Sequence, residues 1–318
     1  MKWAPMLAKL RLFGRLALIR PRFTTGYVIV VIVAILAILA PVIAPFSPTE
    51  ADSLSFLQPP SGVHVFGTDN VGMDIFSRAI YAPRIDLTIA ILGTGLSALL
   101  GGSFGALVGF YSSGRGIRVW LSFALMRAAD VLQAFPIFVF AIALVASLGQ
   151  SIQTVVLAIA FVNAPIYLRL MRSQVLSIRS MRYVEASQVN GLSDFQTIIR
   201  HVVPNAMGPV LAQLSINVGW GIVLTAALSF VGAGVRAPTP EWGSMIAMGF
   251  QNVVTGQWWP SMFPGVMLAV TVFGFSLVGS SIEVLADPAK RRHLLSDVRL
   301  RDIARATKTA KRSSLGQV

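Results

Sequence analysis

Five stretches of this chain contain no Asp, Glu, Lys or Arg, and each is long enough to cross the hydrocarbon core of a bilayer. They run Tyr27 to Phe46, Leu87 to Gly114, Val131 to Leu168, Val202 to Val235 and Trp242 to Ile282. A crossing helix needs about 20 apolar residues, and in lipid every backbone polar group must be satisfied within the protein. The third stretch is far longer than one crossing and breaks at the polar run from Ser147 to Gln153, so it reads as two spans. The fifth begins with a segment that re-enters or lies flat, and crosses only from about Pro260. The expectation is an all-α integral membrane protein with six transmembrane helices, at 27–46, 87–110, 131–148, 152–170, 205–232 and 260–284.

At 55% hydrophobic and 12% charged residues, the chain is too apolar for a soluble domain of ordinary make-up. Its 26 lysines and arginines are unevenly placed: on a six-span topology only Arg78, Arg84 and Arg236 fall outside. The rest cluster in the tail at 1–26, in the tail at 287–318 and in the loops between, which by the positive-inside rule puts both termini in the cytoplasm. The net charge of +13 then describes a basic rim against anionic membrane lipid, with no nucleic acid required. A cleavable leader is not expected, because the apolar run is long and Pro45 follows Ala44 directly.

Chemistry is sparse. There is no cysteine, three scattered histidines make no metal-ligand cluster, and no phosphate-binding GxxxxGK[ST] loop, HExxH or GxSxG occurs. No catalytic residue, metal or cofactor is therefore assigned to this chain. Ionisable groups are nearly missing from the spans, with Asp86, Asp130 and Glu283 placed near span ends, unlike a carrier coupled to protons or sodium.

One polar segment interrupts this pattern. Residues 173–204 read as a hairpin: a helix through Glu185 to Asn190 that begins near Ser173, a left-handed turn at Gly191, and a short helix to about His201. The short helix starts with the capping box Ser193…Gln196, and Pro204 sits in the first turn of the next span, where its missing N–H is harmless. Elsewhere, Gly93, Ser97, Gly101, Gly105 and Gly109 form a small-residue strip that marks a close helix contact, internal or between subunits. Asp69 or Thr68 is expected to cap an external helix ending at Pro83. Arg127 and Asp130 are spaced to pair, and Trp242, Trp258 and Trp259 suit an interfacial belt. Asn163, Gln213, Asn217 and Thr225 are polar groups within spans, explained by interhelix hydrogen bonds or by a translocation path.

Glu185, Ala186, Gly191 and Pro204 resemble, at their spacing, the EAA loop of ABC importer permeases. Three further stretches are similar to the C-type subunit of the dipeptide, oligopeptide and nickel permeases: Phe66 to Asp74 with Ser77-Arg78, Leu125 to Pro136, and Ala227 to Ile246 followed by Trp258-Trp259-Pro260. The chain departs at Met73, where that family carries arginine, and between Gly279 and Pro288, where only the frame is kept.

The resemblance implies a type I importer permease fold whose coupling hairpin is gripped by a partner ATPase through Glu185, Ala186, Ser187, Gly191, Leu192, Ser193, Asp194, Phe195, His201 and Pro204. It also implies a second homologous permease, two cytoplasmic ATPases that bind ATP and Mg, and a periplasmic or lipid-anchored substrate-binding protein. The solute implied is a di- or oligopeptide. The competing readings are an ATP-independent carrier or channel, and a membrane scaffold.

Overall fold

The computed structural model describes residues 21–112 and 116–286, and among these it contains helices, turns and loops but no strand. In order come α1 (Pro21–Ile43), α2 (Ile75–Tyr111), α3 (Ile117–Ala134), α4 (Ile137–Leu148), α5 (Ile152–Ile178), α6 (Arg182–Val189) and α7 (Asp194–Thr197). A π-helical turn, Ile198–Val202, leads into α8 (Val203–Phe230), then α9 (Trp242–Val253) and α10 (Trp259–Ala286). Most of the two expected tails lies outside the described residues, although Pro21 to Gly26 are already helical.

Five helical segments are long and apolar enough to cross a membrane alone: α1, α2, α5, the continuous rod Asp194–Phe230 and α10. The expected third span, 131–148, is not a straight helix. Helix α3 stops at Ala134 and α4 leaves at 92° to it, so the two qualify only as one broken span. Pro136 causes the break: it has no N–H to donate and excludes helical backbone from Phe135, which is extended (φ −79°, ψ 139°).

Contacts fix the directions of the rods. Helices α2 and α5 run parallel, from Gly93 beside Ile159 to Gly109 beside Val175, whereas α8 runs against α2, with Asn217 beside Thr94 and Gly221 beside Ala90. Helices α1 and α10 are antiparallel, and Tyr27 near the start of one meets Ser281 near the end of the other (3.1 Å). At one end of the bundle Ser112 meets Arg179; at the other Gln150 bonds the Gly232 carbonyl. The chain therefore passes from one end to the other between residues 112 and 150, and the bent α3–α4 pair makes the sixth crossing.

The small-residue strip is an internal contact. A Cβ at Gly101 or Gly105 would collide with the Ala164 and Leu168 carbonyl oxygens, so the two backbones meet with nothing between them. Helix α5 fills that face of α2 along its whole length, which is how helices associate where lipid removes the hydrophobic drive.

The end of the bundle away from the hairpin is closed by residues 44–74, the loop after α8, and α9. Here the expected cap is corrected: Asp74, not Asp69 or Thr68, caps α2 by accepting from the Ser77 N–H (2.7 Å). Asp69 instead folds the preceding loop, accepting from the Val71 and Met73 amides. Nor does α2 end at Pro83. Proline at this position leaves the Ala79 carbonyl without its helical donor, and the Trp242 indole N–H supplies one at 3.0 Å. Trp242 is fully buried and Trp259 nearly so, with its indole N–H on the Thr68 carbonyl, so of the three expected belt residues only Trp258 is well exposed.

Candidate functional site

The expected hairpin is present, with one change in its first arm. Helix α5 does not run on through Glu185 but stops at Ile178, and extended backbone at Met181 starts a separate helix, α6. At the far end of α6 the chain turns by a Schellman motif: the Leu192 N–H reaches the Ser187 carbonyl (3.2 Å) and the Gly191 N–H that of Gln188 (2.9 Å). Gly191 takes φ +83°, the left-handed conformation that side chains disfavour.

The second arm opens as read from the sequence. Ser193 accepts from the Gln196 N–H, and the Gln196 side chain accepts from the Ser193 N–H, a complete capping box. The arm is not a separate helix ending at His201. It widens into the π-turn, in which the Val203 N–H bonds the Ile198 carbonyl five residues back, and continues as α8. Pro204 explains the widening: a proline ring crowds the carbonyl four residues before it, here that of Arg200, and a wider turn relieves the crowding. The result is one helical rod from Asp194 to Phe230 that carries the hairpin tip.

The two arms stand on a buried base. Val184, Ile198 and Val202 join Met171, Val175 and Ile178 of α5 in one apolar cluster, and the Ser187 and Thr197 hydroxyls meet between the arms (3.3 Å). Asp194 is tied to Arg118 of α3 (3.1 Å). The upper surface is apolar and uncovered: Val189 is 87% exposed, Phe195 63% and Ile199 50%, and Met181 and Tyr183 at the start of α6 are exposed as well. Glu185 and Ala186 are exposed on the same helix. Of the ten expected hairpin residues, Ser187 is thus part of the base, His201 sits in the π-turn, Pro204 lies in the first turn of α8, and the others lie at the turn or on the outer surface.

The candidate path residues are mostly interior. Thr225 is fully buried and bonds the Gly221 carbonyl of its own helix, and Gln213 bonds Asn217 one turn on (2.8 Å). Asn163 and Asn217 are buried with their amide nitrogens unpartnered. Arg127 pairs with Asp130 as spaced (3.2 Å), and Arg169 joins the same carboxylate (2.7 Å).

Sequence reasoning missed a buried carboxyl pair. Asp86 lies inside the long helix α2, fully buried, where it meets Glu241 and accepts from the Trp242 N–H (3.2 Å). Both Glu241 oxygens cap α9, on the Gly243 and Ser244 amides, so the pair joins two helices. Asp86 and Glu241 are 155 residues apart, so no local pattern in the sequence joins them.

Residues 101–292 match the family described as binding-protein-dependent transport system inner membrane component, and residues 20–60 the N-terminal transmembrane domain of oligopeptide transport permease C. Among curated relatives, the dipeptide transport system permease protein DppC of Alkalihalophilus pseudofirmus is 36% identical over 86% of this chain and 86% of its own length. The probable D,D-dipeptide transport system permease protein DdpC of Escherichia coli is 36% identical over 84% of this chain and 88% of its own. Among solved structures, a chain of the MetNI methionine ABC transporter superposes with a TM-score of 0.52 at 18% identity, covering 64% of this chain and 93% of that one, a likeness of fold.

Proposed function

Since the chain belongs to the family of binding-protein-dependent transport system inner membrane components, we propose that residues 181–204 are the surface on which partner ATPases act and that the solute is a di- or oligopeptide. The chain itself is a permease subunit of an ABC importer. Relatives named for dipeptide transport support the solute class. The basic residues on the hairpin side support a cytoplasmic hairpin, with both chain ends on that side.

The observation that carries the coupling role is the uncovered apolar tip set on a buried base. Contiguous exposed apolar side chains on a protein's wet surface mark a partner site, and Val189, Phe195 and Ile199 lie on a segment tied to both α5 and α8. A displacement of the tip moves α5 and α8 together, because Ser187, Thr197 and the apolar cluster lock the arms. Helix α5 carries α2 with it through the glycine interface. ATP and Mg belong to the ATPases, and this chain contributes the lever; a second homologous permease and a substrate-binding protein complete the importer. Two-state motion of this kind needs a ligand that favours one state, which is the role of nucleotide on the partner.

The test is retention of the ATPases. Glu185→Lys reverses an exposed charge, and Gly191→Pro is incompatible with φ +83°. Each variant is expected to insert and to co-purify with the second permease, while the ATPases and peptide uptake in proteoliposomes are lost. Wild-type retention and uptake in both variants would return the hairpin to a plain loop.

A further inference from the structure

Between α2, α3 and α5, at the hairpin end of the bundle, lies a cavity of about 310 Å³. Val108, Val119, Phe123 and Met126 give it apolar wall, and Arg127 and Arg172 give it guanidinium groups. Helix α3 covers it loosely: only Ser122 and Ala129 of its 18 residues are buried, and Trp120 and Phe123 are more than half exposed.

The charges there do not balance. Asp130 serves two guanidiniums, Arg127 and Arg169. Arg172, one turn beyond Arg169, has no ion pair among the described residues, and its Nε is buried without a hydrogen-bond partner. A buried N–H left in that state is unfavourable, and an acceptor that reaches it is correspondingly favoured. The Ser112 and Ser122 hydroxyls line the same cavity, but neither accepts from this N–H. Among the described residues Asp130 is the one carboxylate in the lining and is already shared by Arg127 and Arg169, so the cavity stays in cationic excess and suits a further anionic acceptor attached to something apolar.

We propose that this cavity holds the headgroup phosphate of an anionic phospholipid from the hairpin-side leaflet, bound by Arg172 with Arg127, with an acyl chain along Val119, Phe123 and Met126. A guanidinium fork matches phosphate oxygens two at a time, and the ends of membrane helices lie at headgroup depth. Basic clefts between spans recognise acidic headgroups on these terms. A zwitterionic headgroup fits worse, because it brings its own cation to a site already in cationic excess. The site is independent of the ATPase reading, since no hairpin-tip residue lines it.

The experiment is a lipid titration of the full-length chain in neutral detergent, read as the thermal unfolding midpoint, with dioleoyl phosphatidylglycerol, dioleoyl phosphatidylcholine and inorganic phosphate as separate probes. Phosphatidylglycerol is expected to raise the midpoint at least tenfold lower in concentration than phosphatidylcholine, and millimolar phosphate to leave it unmoved. Arg172→Gln should weaken the phosphatidylglycerol response about tenfold, as expected for one lost charge-assisted bond. Arg84→Gln, the same loss of charge at the opposite end, should keep it. If Arg172→Gln does not fold, Arg172→Lys reads the same site, with an intermediate response because charge stays and the fork is lost. Equal responses to the two lipids, an unchanged response in both Arg172 variants, or full stabilisation by inorganic phosphate would each overturn the proposal.

Discussion

The two ends of the bundle are built on opposite plans. At the closed end the polar groups are inside: Asp74, Arg78, Glu241 and Trp242 are each at most 2% exposed, and each is bonded to backbone distant from it or to the start of a helix. At the hairpin end the apolar groups are outside, with Val189, Phe195 and Ile199 in the open. Buried polar groups hydrogen-bonded across the chain specify one arrangement of helices, although the Arg78 Nε itself has no hydrogen-bond partner, whereas exposed apolar groups add nothing to a lone subunit. The closed end holds its own shape, and the hairpin end leaves its apolar tip uncovered, as the proposed coupling role requires.

The comparison breaks most easily at Trp242. Replacing this fully buried side chain with alanine removes a large apolar volume and orphans the Ala79 carbonyl at the proline break, and a loss of about 3–5 kcal/mol is expected. Trp242→Phe keeps most of the volume and loses only the indole N–H, for about 1–3 kcal/mol. Thermal unfolding of the purified chain in detergent measures both. Wild-type midpoints in the two variants would mean that the closed end is not the rigid one.

A smaller effect is expected at Asp74. Asp74→Ala removes the cap of α2 and the contact with His64 (2.9 Å), for about 1–2 kcal/mol in the same measurement. Asp74→Asn should recover most of the loss, because an amide oxygen still accepts from the Ser77 N–H.

How much of this was legible in the sequence follows the range of the interactions. The hairpin turn was legible because its causes are local: Gly191 in the left-handed region, and Ser193 and Gln196 three apart. Most crossings were legible because a charge-free run of sufficient length has few other stable places in lipid. The continuation of α2 through Pro83 was not, since the donor that repairs it, Trp242, lies 159 residues further on. The same distance hid the Asp86–Glu241 contact and the burial of Trp242 and Trp259. The bend at Phe135–Pro136 was in plain view, but the apolar run carries on across it and outweighed the proline.

The smallest expected change in stability is also the one with the largest consequence for assembly. Phe195 is 63% exposed at the hairpin tip and makes no ring contact among the described residues. Phe195→Ser should therefore shift the unfolding midpoint of the isolated chain by no more than the equivalent of about 0.5 kcal/mol, as for most surface substitutions. At an interface, by contrast, a central aromatic carries more than its share, and its truncation commonly costs about 2 kcal/mol or more. Retention of the ATPases by Phe195→Ser should accordingly fall roughly tenfold or more, although the subunit is as stable as before. A variant destabilised as Trp242→Ala is would show that the tip belongs to the fold of this chain, and one that is stable yet keeps its ATPases would show that Phe195 is not part of a partner surface.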